Sequence, residues 1–318
     1  MCYIEAYSKE VNEVKVAILL STYNGKKYIP EQIDSLLNQT FKDEITIFVR
    51  DDGSRDGSID YLKGIQLEYN RNISVVEGDN IGPQRSFLHL IQLAPVADYY
   101  FYCDQDDIWK LDKIEKSVQY MEELEKPYKL YCSNYAVTDM DMNILQEEAI
   151  NIVPEFRVLK ALFYNLFPGC TMGFNQKLLM LLQKINLTNV MMHDSITLAL
   201  AIAVGEVAYD NESTIYHRIH EENVVGIGHK KIKPMKWIRE KSKLLIKGDD
   251  YDMSNLANQF LLVGQDLMDE RCKEDLILLR DFKKSYKNTF LLLMHNDTND
   301  AFGRTMLSIR CKILFHVF

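Results

Sequence analysis

Three carboxylates, Asp104, Asp106 and Asp107, follow directly on the aromatic run Tyr99-Tyr100-Phe101-Tyr102-Cys103, with Trp109 just beyond them. A run of that composition suits a buried strand, so the acids should stand at a strand end. Carboxylates held a few ångströms apart raise one another's pKa unless a cation, a ligand hydroxyl or a backbone amide offsets them. Hard oxygen donors in that position suit Mg²⁺ or Mn²⁺, completed by water and substrate phosphates. The same residues could equally form an acidic turn in which Asp106 or Asp107 caps a helix beginning near Leu111.

Two more polar segments carry residues of the same kind. Asp51-Asp52-Gly53-Ser54-Arg55-Asp56-Gly57 offers carboxylates suited to the edge of a base or to ribose hydroxyls, and Tyr23, within Ser21-Thr22-Tyr23-Asn24-Gly25, can stack on a base. Phosphates would need positive charge, from a metal held by Asp106 and from Arg85 and His220 as further cationic or donor groups. A lone Asp-Asp-Gly-Ser is also a good plain turn. The joint occurrence of the three segments points to a nucleotide.

The elements around them explain how they could converge. Residues 14–22 and 45–50 are apolar runs of strand length, each stopping at one of the polar segments, and 73–76 is a shorter strand. Helices should lie between them: one with Pro30 in its first turn and a stripe of Ile29, Ile33, Leu36 and Leu37, one ending near residue 68, and one over 84–93. Strand and helix thus alternate up to the aromatic run, which implies a mostly parallel sheet with right-handed crossovers. In such sheets ligands bind at the carboxyl ends of the strands, where these polar residues fall. Further on, a helix over 111–125, a strand over 129–135, helices over 156–164, 176–182 and 194–204, and a strand near 213–216 are expected. Two more helices are expected over 251–286.

The bulk properties set limits. A chain of 318 residues can bury a large core, and 47% hydrophobic with 26% charged residues is ordinary for a soluble globular protein. A net charge of −9 argues against a general nucleic-acid binder. The six cysteines are scattered with no CxxC pair, which fits a reducing cytosol better than a zinc site or disulfide framework. The first apolar run is too short for a signal sequence or a membrane span. Residues 230–247 form a basic amphipathic pattern, with Lys236, Arg239 and Lys243 near Trp237 and Leu244, and Phe302, Met306, Ile309 and Ile313 share a face further on. Either segment could lie on an anionic membrane or pack against the rest of the protein.

In their order along the chain, Ile18-Leu19-Leu20-Ser21-Thr22-Tyr23-Asn24-Gly25, Asp51-Asp52-Gly53-Ser54-Arg55-Asp56-Gly57-Ser58, Asn80-Ile81-Gly82 and Asp104-Gln105-Asp106-Asp107 resemble the family 2 glycosyltransferases of the GT-A fold. The resemblance spans residues 14–226. The forms Cys-Asp-Gln-Asp-Asp-Ile-Trp, Pro-Gly-Cys-Thr-Met, Met-His-Asp and His-x-x-Asn-Val-Val-Gly are similar to the bacterial rhamnosyltransferases of surface polysaccharide synthesis. This implies a catalytic domain over 1–228 and a helical region, possibly membrane-associated, over 229–318.

The resemblance also implies roles. Ser21, Tyr23 and Asp51 or Asp52 would receive the nucleoside, Arg85 would approach the nucleotide, and Asp104 to Asp106 would be the DxD element. Asp104 would serve the donor or ribose, Asp106 the metal, and Asp107 no more than a helix cap. His220 would complete the metal site or touch the diphosphate. In place of the Tyr-Arg-Gln-His usual in relatives, however, this chain has His217-Arg218-Ile219-His220, which loosens the alignment there.

Asp194 matches the family's catalytic base, although Asp is also a favoured helix N-cap. Gly169, Cys170, His193 and Trp109 fall on the acceptor side, where Trp109 could stack on a sugar or simply pack in the core. The implied chemistry is an inverting, Mn²⁺- or Mg²⁺-dependent transfer of a sugar, from dTDP-L-rhamnose or alternatively a UDP-hexose or UDP-N-acetylhexosamine. The acceptor would be a surface glycan or lipid-linked precursor at the inner face of the cell membrane. A nucleotidyltransferase would need a Gly-rich phosphate loop after the first strand, which is absent. A non-catalytic glycan-binding subunit is disfavoured by the presence of both Asp106 and Asp194.

Overall fold

The computed structural model describes residues 13–69, 72–186, 191–220, 252–299, 304–314 and 316. Strand β1 (Lys15–Thr22) leads to helix α1 (Ile29–Leu37), β2 (Glu44–Asp51), α2 (Ser58–Glu68), β3 (Ile73–Glu77), α3 (Pro83–Leu93) and β4 (Tyr99–Cys103). Each lies within two residues of the span expected from its apolar pattern. β1 pairs in parallel with β2 on one side and β4 on the other, with Thr22 opposite Asp51 and Leu20 opposite Cys103. That register places the three polar segments side by side on one rim.

The second half is less regular. β5 (Ile108–Trp109), α4 (Lys113–Glu122), β6 (Lys129–Thr138), β7 (Ile144–Gln146), α5 (Val158–Phe163), β8 (Met172–Asn175), α6 (Gln176–Leu182), α7 (His193–Val204) and β9 (Glu206–Arg218) follow. The strands join one sheet in the order β3-β2-β1-β4-β8-β6-β9-β5, with β7 paired to β6. β8 runs antiparallel to both β4 and β6, and β5 antiparallel to β9, so the sheet is mixed rather than mostly parallel. β5 and β8 are too short to print a periodic pattern, and their pairing partners lie far away in sequence.

The C-terminal helices Met253–Gly264, Glu270–Asp281 and Tyr286–Leu293 each start at a side-chain cap. Asp252 accepts from the N–H groups of Ser254 and Asn255, Asp269 from that of Cys272, and Ser285 from that of Asn288. Each cap is worth roughly 1 kcal/mol. Phe260, Leu276 and Leu292 join the same core cluster as Leu19, Tyr102 and Phe174 of the sheet. Ile309 and Ile313, on the helix Arg304–Leu314, are buried in that cluster too, so that part of their face meets protein rather than a membrane. The basic segment 230–247, Phe302 and the expected boundary at 228–229 lie outside the described residues. Among those described, no helix is long and apolar enough to cross a membrane.

Candidate active site

On the β1/β2/β4 rim the loops are tied together by their own polar side chains. Thr22 Oγ1 and the Tyr23 N–H both donate to Gln105 Oε1 at 2.8 Å, and Gln105 Nε2 donates back to the Tyr23 carbonyl at 3.1 Å. Gly25 is needed beneath this clamp, since a Cβ there would fall 2.2 Å from Gln105 Oε1. The clamp leaves Tyr23 46% exposed, with a ring free to stack. Ser21 Oγ bonds Ser86 Oγ at 2.6 Å, and Arg85 stands exposed beside it in the first turn of α3.

Asp51 and Asp52 are both buried but do different work. Asp52 is paired with Arg50 and accepts the Ile81 and Gly82 N–H groups at 3.0 and 2.8 Å. It therefore holds the loop that enters α3, where Gly82 sits at φ 85°. Arg50 in turn reaches Ser86 Oγ and the Asp79 carbonyl. Asp51 has fewer bonds, accepting only the Ser54 N–H at 2.8 Å and the Ser54 hydroxyl at 2.5 Å.

The acidic loop meets the end of β9. Because β5 pairs with β9, Ile108 opposite Tyr216, the segment 217–220 lies against the carboxylates. His220 Nε2 is 2.7 Å from Asp106 Oδ2, and His217 Nδ1 is 2.8 Å from Asp107 Oδ1. Each late histidine thus takes one carboxylate, and His220 is the partner of Asp106 despite the unusual local sequence. The His220 ring stacks on Tyr28 at 4.9 Å, and the Arg218 guanidinium lies over the same ring at 5.2 Å while pairing with Glu31. Burial alone would lower the His217 pKa, but the Asp107 carboxylate outweighs it and holds the imidazole above its ordinary range.

Asp107 is therefore not a helix cap. α4 begins at Lys113 behind Asp112, and Asp107 is the fixed counter-ion of His217. Trp109, expected on the acceptor side, is 2% exposed and packs edge-on against Phe101, so no face of it is open to a sugar. The fully buried ammonium of Lys113 lies 4.8 Å from its ring centroid, and burial pushes that lysine down to about 8.

Asp104 carries the strongest sign of an uncompensated charge. Burial, then the Asp107 and Asp106 carboxylates, hold it well above the ordinary carboxylate range. A divalent cation would relieve this crowding, and Asp106, with His220 bonded to it at 2.7 Å, is the carboxylate of this loop that would take Mn²⁺ or Mg²⁺. Among the described residues, the clusters whose ligand atoms lie within 4.8 Å of one another are Asp275, His295 and Asp297 in the C-terminal region and, at this loop, Asp107, Cys170 and His217. There the thiol is buried and held protonated, and Asp107 is already paired, so that cluster does not suit a hard cation.

Asp194 lies in the first turn of α7, its Oδ1 accepting the Ser195 N–H at 2.6 Å and the Ser195 hydroxyl at 3.3 Å. The cap position belongs to Met192, which makes no side-chain cap bond. Burial pushes Asp194 up to about 6, near where a general base works best at neutral pH. α7 is tied to β4 through Tyr102, whose hydroxyl bonds Thr197 Oγ1 at 2.8 Å, and Thr197 in turn donates to the His193 carbonyl. Asp194 and the acidic loop are thereby referenced to the same strand.

His193, expected to face the acceptor, is a packing wedge instead. Its ring stacks on Phe87 at 3.9 Å and meets Tyr102 edge-on at 4.5 Å, and burial pushes it down to about 3, so it is neutral. Its Nε2 lies 2.4 Å from where a Cβ on residue 169 would be, which requires Gly169. Gly169 and Cys170 are buried with it, Cys170 beside Asp107 and His217. The sequence pattern assigns no role to Gln105, Arg50, Ser86, Tyr28 or His217. Only Gln105, set between acids, and His217, beside His220, carried a local signal.

The chain matches the model of glycosyl transferase family 2 over residues 17–178. It is 28% identical over 220 residues to the dTDP-rhamnosyl transferase RfbG of Shigella flexneri, covering 65% of this chain and 73% of that one. An uncharacterized glycosyltransferase of Rickettsia typhi is 26% identical over 263 residues, covering 76% and 78%. Among solved structures, residues 1–349 of S. aureus TarS in complex with UDP-GlcNAc superpose with a TM-score of 0.55 at 16% identity, covering 90% of this chain and 78% of that one. The mannosyltransferase PcManGT of Pyrobaculum calidifontis, with GDP-Man and Mn²⁺, does so at 0.50 and 16% identity, covering 96% and 85%. With its mixed sheet, its acidic rim and this family match, the chain belongs to glycosyltransferase family 2 and has the GT-A fold.

Proposed function

We propose that this glycosyltransferase transfers L-rhamnose from dTDP-L-rhamnose, with inversion, to a cell-surface polysaccharide or its lipid-linked precursor, acting at the cytoplasmic face of the cell membrane. The observation that carries the mechanism is Asp194: a half-buried carboxyl pushed up to about 6, on a helix bonded to the strand that ends in Asp104 and Asp106. Tyr23 stacks on the base, and Asp51 receives the nucleoside, since Asp52 is committed to Arg50 and the α3 loop. Arg85 meets the nucleotide's negative charge. Asp106, with His220 beside it, would hold a divalent ion, which would supply stabilisation of the charge on the departing diphosphate. Asp194 takes the proton from the acceptor hydroxyl as that oxygen attacks the anomeric carbon. The rhamnosyl donor is favoured by the similarity to RfbG.

The test is nucleotide diphosphate release from a panel of dTDP-, UDP- and GDP-sugars with Mn²⁺ or Mg²⁺ and lipid-linked acceptor. dTDP-L-rhamnose should be the preferred donor, and release should require the metal. Preference for a UDP-hexose or UDP-N-acetylhexosamine would replace the donor assignment. Metal-independent release, or full activity of Asp194→Ala, would overturn the mechanism. Membrane contact is tested separately, by co-sedimentation with anionic vesicles of the wild type and of a chain neutralised at Lys236, Arg239 and Lys243. Equal binding by the two would remove the basic segment from the account.

A further inference from the structure

Asp275, on the helix Glu270–Asp281, His295, and Asp297, on the short helix Asn296–Asn299, each bring one ligand atom within 4.8 Å of the others. His295 Nε2 is 3.1 Å from Asp275 Oδ1, and its Nδ1 is 3.8 Å from Asp297 Oδ2. None of the three belongs to the segments that carry Asp51, Asp106 or Asp194. The group is held from behind. Thr298 Oγ1 donates to the His295 carbonyl at 2.7 Å, and Arg157, which heads α5, pairs with Asp297 Oδ1 at 3.2 Å.

One atom of the group is left over. Asp297 Oδ2 is buried and has no hydrogen-bond partner among the described residues. His295 does not supply one, because its Nδ1 accepts the Asp297 N–H at 3.3 Å and so carries no proton to give. Arg157 is shared with Glu155, and the Arg271 charge acts on Asp275, but neither guanidinium bonds Oδ2. A buried carboxylate oxygen left so is costly. A water would satisfy that oxygen alone, whereas a divalent cation would draw on the imidazole and both carboxylates at once. The approach is from the histidine side, where the His295 and Asp275 side chains are 21% and 11% exposed against 0% for Asp297. One nitrogen with two carboxylate oxygens suits Zn²⁺ ahead of Mn²⁺, whereas Mg²⁺ and Ca²⁺ take oxygen ligands.

We propose that Asp275, His295 and Asp297 bind a structural divalent transition-metal ion, Zn²⁺ in preference to Mn²⁺, that fastens the C-terminal helices to α5. Because α5 packs on both α7 and the helix Asn296–Asn299, the ion braces the helix that carries Asp194 without touching substrate. It is separate from the ion proposed at Asp106 and does not depend on the transfer reaction. The test is the zinc content of the chelator-treated full chain after dialysis against Zn²⁺, by elemental analysis. It is measured in Asp106→Ala, which removes the proposed catalytic ion, and in that chain with His295→Gln, Asp297→Asn or Cys170→Ser added. His295→Gln and Asp297→Asn should each remove one equivalent of zinc, and Cys170→Ser should not. Zn²⁺ at a hundredfold excess over Kd should raise the Tm of Asp106→Ala by about 5 °C, Mg²⁺ and Ca²⁺ should not, and the shift should vanish in the two cluster variants. His295→Gln, at the most exposed ligand, keeps the test in force if Asp297→Asn, which also disturbs Arg157, does not fold. No zinc uptake by Asp106→Ala, uptake and Tm shift unchanged by His295→Gln, loss of the ion with Cys170→Ser instead, or stabilisation by Mg²⁺ equal to that by Zn²⁺ would overturn the proposal.

Discussion

Asp104 aside, the two halves of the molecule treat their carboxylates in opposite ways. On the donor side, Asp52, Asp51, Asp106 and Asp107 are each bonded to a neighbour: an arginine and two backbone amides, a serine, and one histidine apiece. Asp194, the proposed base, accepts from the adjacent Ser195, and burial leaves it well above its ordinary range. A carboxylate bonded on several sides shapes a loop, whereas one buried with few partners keeps its affinity for a proton. On the proposed function, the first set would fix a charged nucleotide and Asp194 would accept a proton.

The contrast can be broken at several points. Removing the base should have the largest effect: Asp194→Asn should lower kcat by about 10²- to 10⁴-fold, the range for a positioned general base, with donor affinity retained. The same change should stabilise the fold at pH 7 to 8 by on the order of 1–2 kcal/mol, measured by thermal melts, since ionising a carboxyl shifted upward by burial is unfavourable in the native state. The sign follows from linkage. Between the unfolded value near 3.8 and the folded value near 6 the native state holds the extra proton, so stability from this group falls as pH rises through that window.

On the donor side, Asp52→Ala leaves Arg50 buried and unpaired and should cost about 3–5 kcal/mol in denaturant unfolding. The acid limb of kcat/KM should bend near pH 6, falling about tenfold per unit below it. An acid limb that stays in place in Asp194→Asn would assign that titration to another group. The smallest effect belongs to Tyr102→Phe, which removes a single buried hydrogen bond to α7 and should cost about 1 kcal/mol of stability.

What could be read from the sequence follows the same division. β1 to β4 were legible because each is a continuous apolar run ending at acid or glycine, and their local order forces the parallel pairing. The places of Asp104 and Asp106 at a strand end and of Asp194 at a helix start were legible because their motifs are contiguous. β5, β8 and the first half of β9 were not, because their pairing is set by strands more than 40 residues away. Trp109, Cys170 and His193 have the residue types of a sugar site, yet the packing of Lys113, Asp107 and Phe87 against them puts all three in the interior. Arg50 gave no warning at all, since an arginine near a strand end is usually exposed.

The most direct test separates donor binding from transfer in two variants. dTDP-L-rhamnose affinity with Mn²⁺ and single-turnover sugar transfer would be measured for Asp106→Ala and Asp194→Asn beside the wild type. The account predicts that Asp106→Ala loses metal-dependent donor binding and transfer together, whereas Asp194→Asn binds donor as the wild type does and fails only in transfer. Asp194→Asn transferring at the wild-type rate, or losing donor affinity as Asp106→Ala does, would contradict it.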